Sequence, residues 1–513
     1  MQKRICGREH EYPIILDPPP KFRRNKDTGS INTDSDFVEK LIFKLIHGIP
    51  KVADGIIPST EKNLSATNSS DLWMANGYRV YPDLEKLETA SPECLAGSYD
   101  LITQERAMEI ILNKVLKWYK KRKGCKRKII LLKNNVSLAR EDSPPKREDL
   151  NKLEVDIDIF DEISYGCHHN YSCLLNKKNK IIKLLNNFIP ASVIISGNGN
   201  LVRLLNGKFV YTISQRAPHI VNLFTDNLED RNSQYSRPMG YFKDLVISSE
   251  DKKLHRLQIV ARDATRCEYQ TWLIDGITHL VIRLAEEGWQ LPYQLSLVNP
   301  IKDFHQANLY PNLKYKVKTR SKKINIVEYN YIFLRAAKRL KNLSEIEKKC
   351  IKEWKRVLDL MRTKKIESLI GEIDWITKWF LLKLKMKQYN FDLNDIRARL
   401  ININYHNISD NPNESWFARL DKDGIIRHLV SEKLVEKYLS MSPQNTKAKI
   451  RSDFIKLFLN KKIKYQVEEI TWTSATFDAV DNSETIELAV KDDPFETTCK
   501  SFEEFKNKYL KSR

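Results

Sequence analysis

Polar and apolar positions alternate from residue 3 to 15 (KRICGREHEYPII), a two-residue period that predicts a strand. A loop from Asp17 to Ser35, carrying Pro18, Pro19, Pro20 and Gly29, follows it. An amphipathic helix is expected over Asp36–Ile46, capped by Ser35 or Asp34. The Ser/Thr/Asn-rich stretch 51–71 reads as a loop. Short strands are predicted near 78–83, 128–134, 165–174, 191–196, 207–214 and 254–262, with helices near 103–122, 177–188 and 269–286. Helical spacing dominates from Glu328 to Lys387, and 431–513 mixes helix with strand. Strands separated by a few residues pair as antiparallel neighbours, so the pattern predicts an α+β fold. It has a large, mostly antiparallel sheet with packed helices over 1–430 and a small C-terminal α/β domain over 431–513.

Composition narrows the classes. Of 513 residues, 41% are hydrophobic and 30% charged, which is ordinary for a globular chain. No apolar run approaches the roughly 20 residues of a bilayer span. The start, MQKRICGREHEYPIIL, lacks a signal-peptide core, so a cytoplasmic protein without a membrane partner is expected. The eight cysteines form no C-x-x-C pair, and neither a disulfide framework nor a zinc ribbon is indicated. Lys and Arg exceed Asp and Glu by 21, which admits nucleic acid, an anionic surface or an acidic partner. One stretch runs against that surplus. Glu141–Glu162 holds nine carboxylates and three basic residues, read as an acidic insert over the basic surface. Its Asp156, Asp158 and Asp161 lack the glycine and final glutamate of a calcium loop. Lys117–Lys128 (KWYKKRKGCKRK) reads as the solvated end of a helix rather than a nucleic-acid site.

Glu9 and Glu11, two apart on a strand, point from one face, and so do Arg79, Tyr81 and Asp83, with Glu88 close behind. Gathered carboxylates repel and lose hydration unless a hard cation such as Mg²⁺, usually with nucleotide phosphates, supplies counter-charge. Lys133 and Arg216, at predicted strand ends, suit phosphate or carboxylate oxygens. His168 and His169 are adjacent and must point to opposite faces. Neither G-x-x-x-x-G-K-[ST] nor G-x-G-x-x-G nor G-x-S-x-G occurs.

An ordered series of blocks follows: MQKRICGREHEY (1–12), NGYRVYPDLEKLETASPEC (76–94), LLKNN (131–135), SYGCHHNY (164–171), ISQRAPHI (213–220) and SRP (236–238). It continues with EIDWITK (372–378), YHNI (405–408), SPQNTKAKIRSDF (442–454) and KDDPF (491–495). In this order and over nearly the whole chain they resemble the Pup ligase and depupylase family, carboxylate–amine ligase folds related to glutamine synthetase. SQRAPHI, EIDW, Cys267-Glu268 and PQNTKAKIR resemble the ligase side.

The resemblance implies an ATP-dependent enzyme that phosphorylates a side-chain carboxylate at the C-terminus of a small, acidic, Pup-like modifier and joins it to a target lysine. By position it implies Glu9, Glu11, Tyr81 and Glu88 around Mg²⁺ and ATP, and Asp83 as general base. It also implies nucleotide or substrate contacts from Arg79, Lys133, Asn135, His168, Asn170, Arg216, Arg237, Gln258 and Arg451. Departures are visible. The family's HPEY is Lys86-Leu87-Glu88-Thr89, the histidine of its R-L-H strand is Gln258, and its H-E-N-Y carries His169 for Glu. Its G-A-G-K turn is Gly197-Asn198-Gly199-Asn200, and the acidic insert interrupts the KNN-to-YGCH connection. Two alternatives use the same site: deconjugation or deamidation by water, and a modifier-binding module without catalysis. The basic surplus is then expected to steer an acidic modifier rather than nucleic acid.

Overall fold

The computed structural model describes residues 3–17, 34–58, 71–83, 86–123, 128–136, 157–158, 164–204, 206–225, 237–249, 252–459, 465–479, 485–489 and 493–510. The acidic insert, apart from 157–158, lies outside the described residues, as do Cys125 and much of 51–71.

The alternating N-terminal segment divides at Pro13, which has no N–H to give a ladder, into β1 (Ile5–Tyr12) and β2 (Ile14–Asp17). Strands β3 (Gly55–Ile56), β4 (Leu72–Met74), β5 (Arg79–Asp83), β6 (Lys86–Ala90) and β7 (Cys94–Leu95) follow, then β8 (Lys128–Leu131) and β9 (Ile157–Asp158). Next come β10 (Cys167–Leu174), β11 (Asn200–Leu204), β12 (Phe209–Thr212), β13 (Gly240–Ser249) and β14 (Lys252–Ile259). The main sheet runs β13-β14-β10-β1-β6-β5-β4-β3, with β7 also on β1, and all of these pairs are antiparallel. The large antiparallel sheet expected from the chain is present.

Strand β1 is central. Glu9 pairs with His168 on one side and Ala90 on the other, and Glu11 pairs with Glu88. The odd positions face one way. The even positions, Arg8 and His10, face the helices Asp100–Lys123 and Glu268–Glu286. Every residue of the second helix is buried, as expected for an element packed on all sides.

Predicted helices 103–122, 177–188 and 269–286 appear as Asp100–Lys123, Lys178–Ala191 and Glu268–Glu286. Helix 36–46 becomes Asp34–Gly48, and the Glu328–Lys387 pattern resolves into Ile326–Ala337, Glu345–Arg362 and Asp374–Tyr389. The strand expected at 191–196 is instead a helix end and a helical turn, Val193–Ser196. All four residues of that turn are buried, and a short apolar run does not reveal its backbone period when all its sides are covered. Toward the C-terminus, strands Tyr465–Ile470, Ser474–Ala479 and Thr485–Ala489 pack with helices Ala448–Leu459 and Lys500–Leu510 around Phe454, Phe477 and Phe502. Trp73 of β4 and Ala75 just after it belong to this apolar cluster and join the two layers.

Beneath β1 lies a buried ionic cluster. Glu105 meets Arg8 at 3.2 Å, His10 at 3.3 Å and Lys133 at 2.7 Å, while Glu109 meets Lys133 at 3.0 Å and Arg266 at 2.7 Å. Burial pushes the Glu105 carboxyl up, but Lys133 and Arg8 outweigh it and hold it well below its usual value. Such a carboxylate stabilises the fold above its unfolded value of 4.5, and that stability is lost as the pH falls toward the lower folded value. Glu105→Ala leaves buried Arg8 without its carboxylate and Lys133 with Glu109 alone. It is expected to destabilise the protein by about 3–5 kcal/mol at pH 7 in urea unfolding, and a change under about 1 kcal/mol contradicts the account.

Candidate active site

The odd face of β1 carries the chemistry. Because side chains alternate, Glu9 and Glu11 emerge together, flanked by Glu88 of β6, Tyr81 and Asp83 of β5, and His168 and Asn170 of β10. Gln258 and Arg256 of β14 extend the same face. Gly166 makes the arrangement possible: a Cβ there would lie 2.5 Å from Glu11 Oε1 and 2.6 Å from His168 Nε2.

Glu9 accepts hydrogen bonds from Arg256 and, at 2.8 Å, from Gln258 Nε2, and lies 3.2 Å from His168 Nδ1. Burial pushes its carboxyl up, yet Arg256 and His168 keep it far below the ordinary range. Glu11 is 2.6 Å from Lys86 Nζ and is likewise lowered against burial by His168 and Lys86. Glu88 behaves oppositely. Burial, with Glu9 and Glu11 nearby, pushes it up to about 8, although the Tyr81 hydroxyl donates to it. Two carboxylates are thus held ionised and a third resists ionisation, the signature of a face short of positive charge. Ligand atoms of Glu9, Glu88 and His168 lie within 4.8 Å of one another, and so do those of Glu11, Asp83 and Glu88. Oxygen-rich groups of this kind suit hard divalent cations.

Arg216 and Arg237 lie close enough to Glu11 to feel its charge. Arg216 is buried, and its guanidinium donates to Ser164 Oγ and Tyr165 O at 2.7 Å and to Val260 O at 3.1 Å, all neutral groups. Burial first, then Arg237, lower it to about 10. Arg237 is lowered too by burial, partly offset by Glu11, and its Nη1 is buried without a hydrogen-bond partner. A buried and a half-buried guanidinium, with no carboxylate bonded to either among the described residues, are arranged for an anion.

Past Glu9 the face opens into a groove of about 370 Å³ lined by Gly7, Ala90, Ser172, Arg256, Lys447 and Trp472. Trp472 comes from the C-terminal layer and stands edge-on to Trp73, with centroids 5.0 Å apart. Arg79 lies over the Tyr81 ring at 4.3 Å and donates to Asp71 at 2.7 Å.

Eleven of the anticipated residues converge here: Glu9, Glu11, Arg79, Tyr81, Asp83, Glu88, His168, Asn170 and Gln258 on the face itself, and Arg216 and Arg237 at its margin. Three do not. Lys133 faces the opposite side of the sheet, where Glu105 and Glu109 satisfy its charge. Asn135 is fully buried as a loop tie, its Oδ1 accepting from Ala264 N at 2.6 Å. Arg451 is buried against Glu93, donates to Trp472 O at 3.2 Å and lies over the Trp472 ring at 4.6 Å, bracing the groove wall rather than facing into the groove. His169 is buried on the far face, as adjacency to His168 requires. Trp472, Lys447 and Arg256 were not anticipated. Arg256 alone had a local signal, two residues before Gln258 on one strand face.

The family model described as Pup-ligase protein matches residues 4–476. The chain belongs to the Pup-ligase family. Among curated Pup-ligase relatives, a Pup--protein ligase of Acidimicrobium ferrooxidans is 26% identical over 465 residues, 89% of each chain. One of Kineococcus radiotolerans is 27% identical over 419 residues, 79% of this chain and 85% of its own. The fold matches the ligase PafA in complex with the prokaryotic ubiquitin-like protein Pup, with a TM-score of 0.77, 20% identity, and 99% and 92% of the two chains covered. It also matches PafA in complex with ADP, with a TM-score of 0.71, 19% identity, and 96% and 97% covered. Among the described residues, no helix is long and apolar enough to cross a membrane.

The electrostatics of Glu88 give a direct test. Its folded value lies above its unfolded 4.5, so stability is full below 4.5 and falls as the pH rises through 8. Glu88→Gln is expected to gain about 2 kcal/mol of unfolding free energy at pH 9 with chelator present, and almost nothing at pH 5. Equal gains at both pH values contradict the assignment.

Proposed function

We propose that this protein is an ATP-dependent ligase joining the C-terminal side-chain carboxylate of a small Pup-like modifier to a lysine amine. The observation that carries the reading is the carboxylate face beside an apolar-walled groove and two arginines that, among the described residues, have no bonded carboxylate. Family membership and the curated relatives' names support it.

The groove beside Trp472 suits a purine, which stacks on an aromatic ring while Arg256 and Lys447 meet its phosphates. Glu9, Glu11, Glu88, Asp83, Tyr81 and His168 fit Mg²⁺, because the donor set is mostly oxygen and Glu88 shows the face to be overcharged. When bound, Mg²⁺ offsets charge on the phosphates and the transferring phosphoryl group.

A modifier carboxylate oxygen attacks the γ-phosphorus, the bond to the β-phosphate bridging oxygen breaks, and ADP leaves. Arg216 and Arg237 are suited to hold the modifier carboxylate and the phosphoryl oxygens through this step. The acyl phosphate formed has a good leaving group. The lysine amine attacks its carbonyl carbon and gives up a proton, and the C–O bond to phosphate breaks to leave an isopeptide. Asp83, the most exposed of the site carboxylates at 42%, is placed at the mouth where an incoming amine arrives and acts as general base. Arg79 and Tyr81 orient the face around it.

Purified protein with ATP, Mg²⁺ and an acidic modifier ending in glutamate is expected to yield ADP, phosphate and a conjugate stable to hydroxylamine. Asp83→Asn should lower conjugation about 10²–10⁴-fold while retaining nucleotide binding. Trp472→Ala should weaken ADP binding by about tenfold in calorimetry, the loss of one stacking contact. Conjugation at the wild-type rate in Asp83→Asn contradicts the assignment of the base.

A further inference from the structure

The β5–β6 hairpin places an ammonium group among the carboxylates. Asp83 pairs with Lys86 across the hairpin, so both side chains leave the face that carries Tyr81 and Glu88. Lys86 Nζ lies 2.6 Å from Glu11 Oε2 and 3.7 Å from Asp83 Oδ2, and its side chain is only 17% exposed. The Tyr165 ring, with its centroid 6.0 Å away, lies near the same ammonium. Glu11 and Asp83, with Glu88, form one of the two groups whose oxygens converge within 4.8 Å.

A divalent cation in that group would sit about 2.0–2.6 Å from the same oxygens. It would then compete with the ammonium for both space and lone pairs, and the two positive charges would repel strongly at such separation. The other group differs. Arg256 reaches Glu9 from a neighbouring strand and is itself held by Asn170 Oδ1 at 2.9 Å, so it touches one member from outside. Lys86 bridges two members from within.

We propose that Lys86 is a built-in counter-ion that takes the place of a divalent cation at Glu11, Asp83 and Glu88. Glu9, Glu88 and His168 are then the divalent site of this face. This rests on the magnesium reading of the same face and assigns one of its positive charges to the chain itself. Lys86 stands where the resembled HPEY block has its histidine.

Mn²⁺ titration of the full chain without nucleotide or modifier, followed by the electron paramagnetic resonance signal of free Mn²⁺, tests the proposal. Lys86→Ala and Lys86→Gln are each expected to bind about one equivalent more than the wild type, because the vacated carboxylates regain a cation. Lys86→Gln keeps the side-chain length and covers the case in which the alanine variant does not fold. Equal stoichiometry in wild type and variants, or fewer ions in the variants, overturns the proposal. Neither ATP nor modifier enters this titration, so its failure is distinct from a failure to form conjugates.

Discussion

The register of β1 is the constraint on which the rest depends. With β6 on one side and β10 on the other, its alternation sends Glu9 and Glu11 to the open face and Arg8 and His10 to the helices. The even positions are locked by Glu105, and Glu105 is locked by Lys133. A slip of one residue would bury the two glutamates against the helix and expose the arginine. The ionic cluster beneath the sheet therefore does more than tolerate burial. It fixes which residues reach the open face above.

The upper face is built with too much negative charge, and its stability is lowered accordingly. Glu9 and Glu11 are ionised through Arg256, His168 and Lys86, while Glu88 resists ionisation among them. Such a face gains from cations that it does not supply in full, which is how a folded scaffold couples substrate binding to charge compensation. The groove wall is a second coupling. Trp472 belongs to the C-terminal layer, yet Arg451 and Glu93 clamp it to the main sheet. Two layers distant in sequence thus wall one groove.

Much of this was legible in the chain. The i, i+2 acids of β1 and the Arg79-Tyr81-Asp83 trio announced one sheet face because period two is a backbone property. The bodies of the helices Asp100–Lys123, Lys178–Ala191 and Glu268–Glu286 were legible from their 3.6-residue period, while their ends lie up to three residues from the expected ones. Lys133, Asn135 and Arg451 lie away from the carboxylate face, because residue chemistry says nothing about which side of a sheet a strand end faces or which carboxylate waits there. The strands Leu72–Met74, Lys86–Ala90 and Gly240–Ser249 escaped notice as the first two are short and the last lies next to a polar stretch. Trp472 had no local signal at all. Its role arises only where the C-terminal layer meets β1.

The central claim is that this face activates a carboxylate by phosphorylating it. The direct test uses a modifier whose C-terminal side-chain carboxylate carries ¹⁸O, turned over with ATP, Mg²⁺ and a lysine acceptor. Transfer through an acyl phosphate moves one labelled oxygen into the inorganic phosphate released, and mass spectrometry of that phosphate is expected to show it. Conjugates formed with unlabelled phosphate, or with AMP and pyrophosphate as products, would contradict the account.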